Sequence, residues 1–244
     1  AVITPGSACR RTTETVVSVS QRAHGEVVTK VPLVLAGMDL FVEVFKLLDK
    51  STKADIRLHD GEELAPGQIP ARITASARAL LTGERVALNL LQRLCGIATL
   101  THRFVRAVAG TSAQIVDTRK TTPGLRALEK YAVRVGGGRN HRKDLGEAVL
   151  IKENHIRLAG GVSAALQAAQ AAKGRASWIE VEVTNLDELR AALQQPLADA
   201  GRLLDRDGRA VDGNLWCPAA GREHAVLAEI DFGAALRIDA ECRV

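Results

Sequence analysis

The sequence predicts an α/β protein: a leading segment of strands and turns, then a parallel sheet clothed by helices. Three observations carry this. From residue 113 onward, short apolar runs alternate with helix-periodic segments, the signature of repeated strand–helix units. Runs such as AVLI at 148–151 are continuously apolar, which suits strands buried on both faces. The leading segment is instead rich in Val and Thr and broken by Gly and Pro, which suits strands joined by turns.

The elements follow in order. TETVVSVSQ (13–21) and GEVVTKVPLVLAG (25–37) read as strands. MDLFVEVFKLLDK (38–50) repeats its apolar residues at helical spacing and reads as a helix. ADIRLHDGEELAPGQIPARITASA (54–77) reads as strand, Gly/Pro turn, strand. From Leu80 the pattern becomes long, apolar and helix-periodic up to Gly110, with Gly83 and Gly96 as expected breaks. A domain boundary is placed within it, giving 1–95 and 96–244. The alternation then runs AQIVDT (strand), LRALEKYAVRVGG (helix with a Gly stop), AVLIKE (strand), VSAALQAAQAAKG (helix with a Gly cap), SWIEVEV (strand) and NLDELRAALQQ (helix). Asn185 is the expected N-cap of the last helix, and RLLD (202–205) is a fourth strand. Periodicity leaves an open doubly wound sheet and a closed barrel both available. No GxGxxG follows the first strand and no GxxxxGK[ST] loop is present.

Composition narrows the function. With 46% hydrophobic and 25% charged residues, the 244-residue chain is ordinary for a globular protein rather than a disordered one. No apolar run approaches the ~20 residues that span a bilayer, and AVITPGSACRRTTE has no apolar signal core. A cytoplasmic address is the default expectation. Cys9, Cys95, Cys217 and Cys242 form neither CxxC nor zinc spacing, and Cys95 reads as a small buried hydrophobe. His24, His59, His102 and His224 are isolated, so no metal-ligand cluster is expected. No Gly-x-Ser-x-Gly elbow appears, which disfavours acyl hydrolysis.

Charge is concentrated. Residues 119–157 hold ten Lys/Arg and four Asp/Glu, a net of +6 against +5 for the whole chain. Tyr131 is the one aromatic within them. Proteins that stack bases interleave aromatics with their cations, so the stretch points to a pocket for a small polyanion rather than to a nucleic-acid surface.

The polar residues sit where a parallel sheet binds ligands, at the carboxyl ends of strands. The first strand ends in Asp117, Thr118, Arg119 and Lys120, the second in Lys152 and Glu153, the fourth in Asp205. Glu180 and Glu182 lie two apart in the third and so share a face. Burying a carboxylate alone is costly. Pairing with nearby cations and a functional role are evenly weighed for Glu180, while Glu182, nearer the strand end, is read as functional. Lys152 directly follows four apolar residues and is read as held in a site rather than snorkelling to solvent. In GGGRNHRKDLGE the glycines suit close approach of backbone amides to an anion, and a solvated basic loop is the equal alternative.

These residues resemble a known family. GERVALNLLQRLCGIATLTHRFV, DTRKTTPGLRALEKYAVRVGGGRNHRKDLGEAVLIKENHI and IEVEVTNLDEL closely resemble the quinolinate phosphoribosyltransferases, and the likeness runs from about Thr12 to about Asp205. It implies an N-terminal α/β sandwich and a seven-stranded α/β barrel. It implies that quinolinate and phosphoribosyl pyrophosphate give nicotinate mononucleotide, pyrophosphate and carbon dioxide, with magnesium. It implies a homodimer, or a higher even oligomer, in which Arg85 enters the partner's site. Thr118, Arg119, Lys120, His141, Arg142 and Lys152 carry over as residues facing quinolinate or phosphate. Glu182 and Asp205 carry over as residues holding ribose hydroxyls and magnesium–pyrophosphate. Lys152, Glu182 and Asp205 are the expected catalytic set. Arginine suits planar, bidentate recognition of carboxylates, which fits a dianionic substrate.

The resemblance fades after Asp205. RLLDRDGRAVDGNLWC replaces the family's LDN and following helix, and no Glu-Ala-Ser-Gly-Gly segment, whose loops bind the 5-phosphate, occurs in 214–244. The sequence therefore leads one to expect a closed barrel short of about two strands and no counterpart of the family's helix before Thr12; the tail reads first as altered or incomplete, and otherwise as a genuine divergent closure. The alternative reading is a degenerate member of the fold that binds anions without turnover.

Overall fold

The computed structural model describes residues 11–111, 113–172 and 176–195, together with the strand segments Leu203–Leu204 and Leu227–Glu229. The described residues form two compact units. One holds those up to Phe104 together with Thr122–Gly137; the other holds Val105–Thr121 and those from Gly138 onward.

In the first unit, β1 (Arg22–Val27), β5 (Ala71–Ser76) and β3 (Lys53–Ile56) make an antiparallel sheet with β5 in the centre. β5 alternates buried Ala71, Ile73 and Ala75 with exposed Arg72 and Thr74, as expected of a sheet with one face on the core. β2 (Leu33–Val34) pairs antiparallel with β4 (Glu63–Leu64). The helix α2 (Met38–Leu48) buries Met38, Phe41, Val42 and Phe45, and the two Phe rings meet edge-on at 5.2 Å. Each such side chain contributes about 1.5–3 kcal/mol by leaving water.

The start of α2 is capped from a distance. Its N-cap, Gly37, has no side chain and φ 97. Asp60, in the turn before β4, supplies the missing acceptors: Oδ2 accepts from Gly37 N at 2.6 Å and Oδ1 from Met38 N at 3.1 Å. The Tyr131 hydroxyl donates to the same Oδ2 at 2.6 Å. Burial and this bond to Asp60 push the Tyr131 phenol up to about 12. Cys95 is buried, as its sequence context indicates, and desolvation pushes its thiol up to about 11.

Two sequence expectations fail in this unit. The segment at 13–21 is not a strand: Arg11–Val16 is a helix, α1. Its final carbonyls lack helical partners, and Arg78 meets them, donating to Val17 O at 3.0 and 2.8 Å and to Glu14 O at 2.9 Å. That long-range capture overrides the strand preference of Val and Thr. Gly83 and Gly96 do not break the next helix either; α3 runs from Ala77 to Ala107 without interruption. Gly83 is there for space, since a Cβ would stand 2.9 Å from Leu48 Cδ1 and 3.1 Å from Phe45 Cδ1. Nothing in the structure explains Gly96.

The second unit is built from parallel strands. β7 (Val149–Ile151), β8 (Ile179–Glu182) and β9 (Leu203–Leu204) pair side by side, and β6 (Gln114–Val116) pairs with β10 (Leu227–Glu229). The helices α6 (Val162–Ala171) and α7 (Leu186–Leu193) follow their strands as the alternation indicates. Asn185 is the N-cap of α7, accepting from Glu188 N at 2.9 Å. The sequence missed α5 (Glu153–Ala159), whose seven residues are too few for a periodic signal. Val149, Ile151, Ile179, Val181 and Val183 pack with Ile156, Leu166 and Leu189 in one core cluster. The opposite face of β7 and β8 is thereby left for Leu150, Glu180 and Glu182, and Leu150 lies in register with Glu180.

Candidate active site

The acidic face of β8 meets the basic loop that precedes β7. Glu180 is 3% exposed and its Oε2 lies 3.0 Å from His141 Nε2. Two residues on, Glu182 Oε1 accepts from Lys152 Nζ at 2.7 Å. Lys152 ends β7 and opens α5, where its backbone N–H donates to His155 Nδ1 at 2.9 Å. A backbone amide can only donate, so His155 Nδ1 carries the lone pair. The outer pair is more open than the inner one: the side chains of Lys152 and Glu182 are 50% and 34% exposed.

The loop 138–142 is pinned rather than solvated. Arg139 bridges to Val116 in parallel, with Arg139 N donating to Ile115 O at 2.8 Å and Asp117 N to Arg139 O at 3.1 Å. Asp117, 3% exposed, accepts from His141 N at 2.8 Å and from the Asn140 side-chain amide. The His141 ring also meets Trp178 edge-on at 4.7 Å. Of the preceding glycines, Gly136 serves a close approach to α3 and Gly137 a positive φ of 90.

Arg142 is the most buried cation of the set, at 8% exposure. Its Nη1 donates to Ala148 O at 3.1 Å, and its buried Nε has no hydrogen-bond partner among the described residues. Desolvation lowers its pKa from the ordinary value and nearby Arg119 lowers it further, while Glu180 and Glu182 oppose the shift. An anionic ligand placed here would reverse both unfavourable effects.

The structure thus gathers Arg119, His141, Arg142, Lys152 and Glu182 in one unit, with Thr118 and Lys120 on the loop after β6, where Thr118 Oγ1 accepts from Lys120 N at 3.0 Å. Arg85 stands exposed on α3 in the other unit. Asp205 and the segment 214–244 lie outside the described residues, as do Cys9, Cys217, Cys242 and His224. The even weighing of Glu180 resolves to pairing, with His141. Glu182 is paired as well, with Lys152. Asp117, Glu180 and His155 were not chosen as site residues from sequence. The available signal for Asp117 was a carboxylate ending an apolar strand, but its partners lie 23 and 24 residues on, beyond an intervening helix.

A chain of two units, with a basic loop beside the acidic face of a parallel sheet, describes a class of anion-binding α/β enzymes, and the family can be given. Residues 11–95 match the N-terminal domain of quinolinate phosphoribosyl transferase, and residues 97–205 match its C-terminal domain. The chain is 46% identical over 173 residues to a probable nicotinate-nucleotide pyrophosphorylase [carboxylating] of Bacillus subtilis (strain 168), covering 71% of this chain and 60% of that protein. It is 47% identical over 189 residues to the Mycobacterium leprae (strain TN) nicotinate-nucleotide pyrophosphorylase [carboxylating], covering 75% and 65%. The crystal structure of NadC from Streptococcus pyogenes superposes with a TM-score of 0.76 at 33% identity, covering 90% of this chain and 84% of that one. The chain belongs to the quinolinate phosphoribosyltransferase family. It spans about three fifths of the length of the curated relatives it matches.

Proposed function

We propose that this chain transfers phosphoribose from phosphoribosyl pyrophosphate to quinolinate with decarboxylation, giving nicotinate mononucleotide, pyrophosphate and carbon dioxide. The observation that carries this is the joining of Arg119, His141, Arg142 and Lys152 in one unit with Glu182. A planar dicarboxylate beside a polyphosphate needs such a cationic lining, and guanidinium groups match carboxylates two bonds at a time.

In this reaction the ring nitrogen lone pair forms the bond to ribose C1 as the C–O bond to pyrophosphate breaks and pyrophosphate leaves with the electron pair. Positive charge builds on the ribose during that step. Glu182, half-open on β8, is placed to stabilise it or to accept from ribose hydroxyls, and Lys152 offsets phosphate charge. Carbon dioxide then leaves from the carbon next to the cationic ring nitrogen, and a proton takes its place. Arg119 and Arg142 hold the remaining carboxylate. No covalent protein nucleophile is required.

Among the described residues, no group of three or more His, Cys, Asp or Glu is arranged to hold a metal ion. Magnesium commonly takes only one or two carboxylates and completes its shell with substrate oxygens and water, and Glu182 fits that need. Magnesium would supply charge neutralisation on pyrophosphate. Homodimerisation with Arg85 reaching the partner's site, closure of the parallel strands into a barrel, and a cytoplasmic address complete the proposal. They rest on the family resemblance, on the exposure of Arg85 on α3 and on composition. No helix of the described residues is long and apolar enough to cross a membrane.

The test is turnover: quinolinate, phosphoribosyl pyrophosphate and magnesium, followed by nicotinate mononucleotide formation. Product from the wild type and none from Arg119→Ala is the expected result. Quinolinate binding without product would overturn the proposal in favour of an anion-binding relative that has lost the reaction.

A further inference from the structure

A buried carboxylate is out of place in a pocket for a dianion unless it has other work. Glu180 is 3% exposed and lies on the same face of β8 as Glu182, and its side-chain partner among the described residues is the His141 ring, at 3.0 Å. We propose that Glu180 is a positioning residue that holds the His141 imidazole in one orientation and tautomer and stands as counter-charge beside the Arg142 guanidinium. The proposal rests on the function proposed above, since His141 matters through its contact with substrate.

Three observations converge. An ionised carboxylate only accepts, so His141 Nε2 is the donor in this contact and carries a proton. The backbone end of the same residue is fixed independently, because Asp117 accepts from His141 N at 2.8 Å. His141 is therefore held at both ends by buried carboxylates, Glu180 on β8 and Asp117 just after β6, with Trp178 against its ring. Lastly, Glu180 opposes the desolvation and the Arg119 repulsion that disfavour charge on Arg142. With a dianion absent, two neighbouring guanidinium groups need such a counter-charge to stay in place.

The alternatives differ in sign. Were Glu180 a bystander, deleting its charge would remove repulsion, so Glu180→Ala would bind quinolinate more tightly with kcat unchanged. Positioning predicts that Glu180→Ala lowers kcat by about tenfold to a hundredfold through misplacement of His141, with a smaller change in KM. Glu180→Gln keeps an acceptor for Nε2–H but loses the counter-charge, so it should keep the ring in place and recover only part of the lost kcat. The His141 ring is read separately by its 15N and 1H resonances: the Nε2–H signal persists in wild type and Glu180→Gln and is lost in Glu180→Ala. Glu180→Met, close in volume, replaces Glu180→Ala if the latter does not fold. An unchanged ring signature, or an unchanged kcat in an active enzyme, overturns the proposal. An inactive wild type would be a failure of the functional reading instead, and the ring signature alone would then decide whether Glu180 holds His141.

Discussion

Replacing Gly136 with alanine sets two physical effects against each other. Gly136 closes α4 (Arg126–Val135) with φ −73 and ψ 1, a backbone that any residue adopts. Chain entropy alone predicts that alanine stabilises by about 0.4–1 kcal/mol. Packing predicts the reverse. A Cβ at Gly136 would lie 2.4 Å from the carbonyl oxygen of Ala98, 2.8 Å from Thr101 Cβ and 3.1 Å from the Ala98 carbonyl carbon. Ala98 and Thr101 are both 0% exposed on α3, and a helix backbone cannot swing aside as a side-chain tip does. Relief must come from moving the end of α4. Overpacking of this kind costs about 1–3 kcal/mol or more, and contacts this short belong at the upper end. After the entropic offset, we expect a net loss of about 2 kcal/mol, or about 4–8 °C in Tm for a chain of this size. Thermal and urea unfolding would measure it. Gly96→Ala is the internal control: a Cβ there meets nothing within 4 Å, so inside a helix it should stabilise by about 0.5–1 kcal/mol. A Gly136→Ala protein that melts at or above the wild type would refute the packing argument.

Further predictions address the site and the pH response. Lys152→Met and Glu182→Gln each remove one partner of the 2.7 Å contact and should each lower turnover by about a hundredfold; rates within threefold of wild type for both would remove them from the chemistry. Asp60→Ala strips three donors of their acceptor and should destabilise by about 2–4 kcal/mol in urea unfolding. Cys95 and Tyr131 titrate higher when folded, about 11 and about 12 against 9.0 and 10.0. Their contribution is thus complete below about pH 9 and lost as pH rises towards 12, with Cys95 accounting for roughly 3 kcal/mol. Urea midpoints measured from pH 8 to 11.5 should fall more steeply in wild type than in a Cys95→Ala, Tyr131→Phe double variant.

What could be read from the sequence depended on the range of the interaction. The strands at 148–153 and 177–183 and the Asn185 cap rest on local pattern, and the structure has them. The segment at 13–21 was misread because its fate is decided by Arg78, more than sixty residues away. Gly83 was misread because a glycine that breaks a helix and one that lets another helix approach are identical in sequence. The site divides the same way. Arg119 and Lys152 were visible as cations at strand ends, His141 and Arg142 lay in the glycine-rich loop and entered the site through the family resemblance, and the shared face of Glu180 and Glu182 followed from their spacing. Which carboxylate meets which cation was not visible, since His141 and Glu180 are 39 residues apart and Lys152 and Glu182 are 30.

Burial separates the two carboxylates of β8 into different kinds of group. The strand sends Ile179, Val181 and Val183 to the core and Glu180 and Glu182 to the other face, so both acids reach the basic loop by the same alternation. Their pairs differ in exposure. Lys152 and Glu182 are half-open, and pairs of that kind contribute about 0–1 kcal/mol. A phosphate or a ribose hydroxyl can displace either partner at little cost. His141 and Glu180 are buried, with side chains 12% and 3% exposed, and leaving a buried hydrogen-bonding group without its partner costs about 1–3 kcal/mol. On the proposed function, the outer pair would be the one that substrate opens, and the inner pair the one against which substrate is aligned. On that function the ordering would give Glu182 and Lys152 mobile roles in the transfer step and leave Glu180 as part of the frame, although the two glutamates are separated by a single valine.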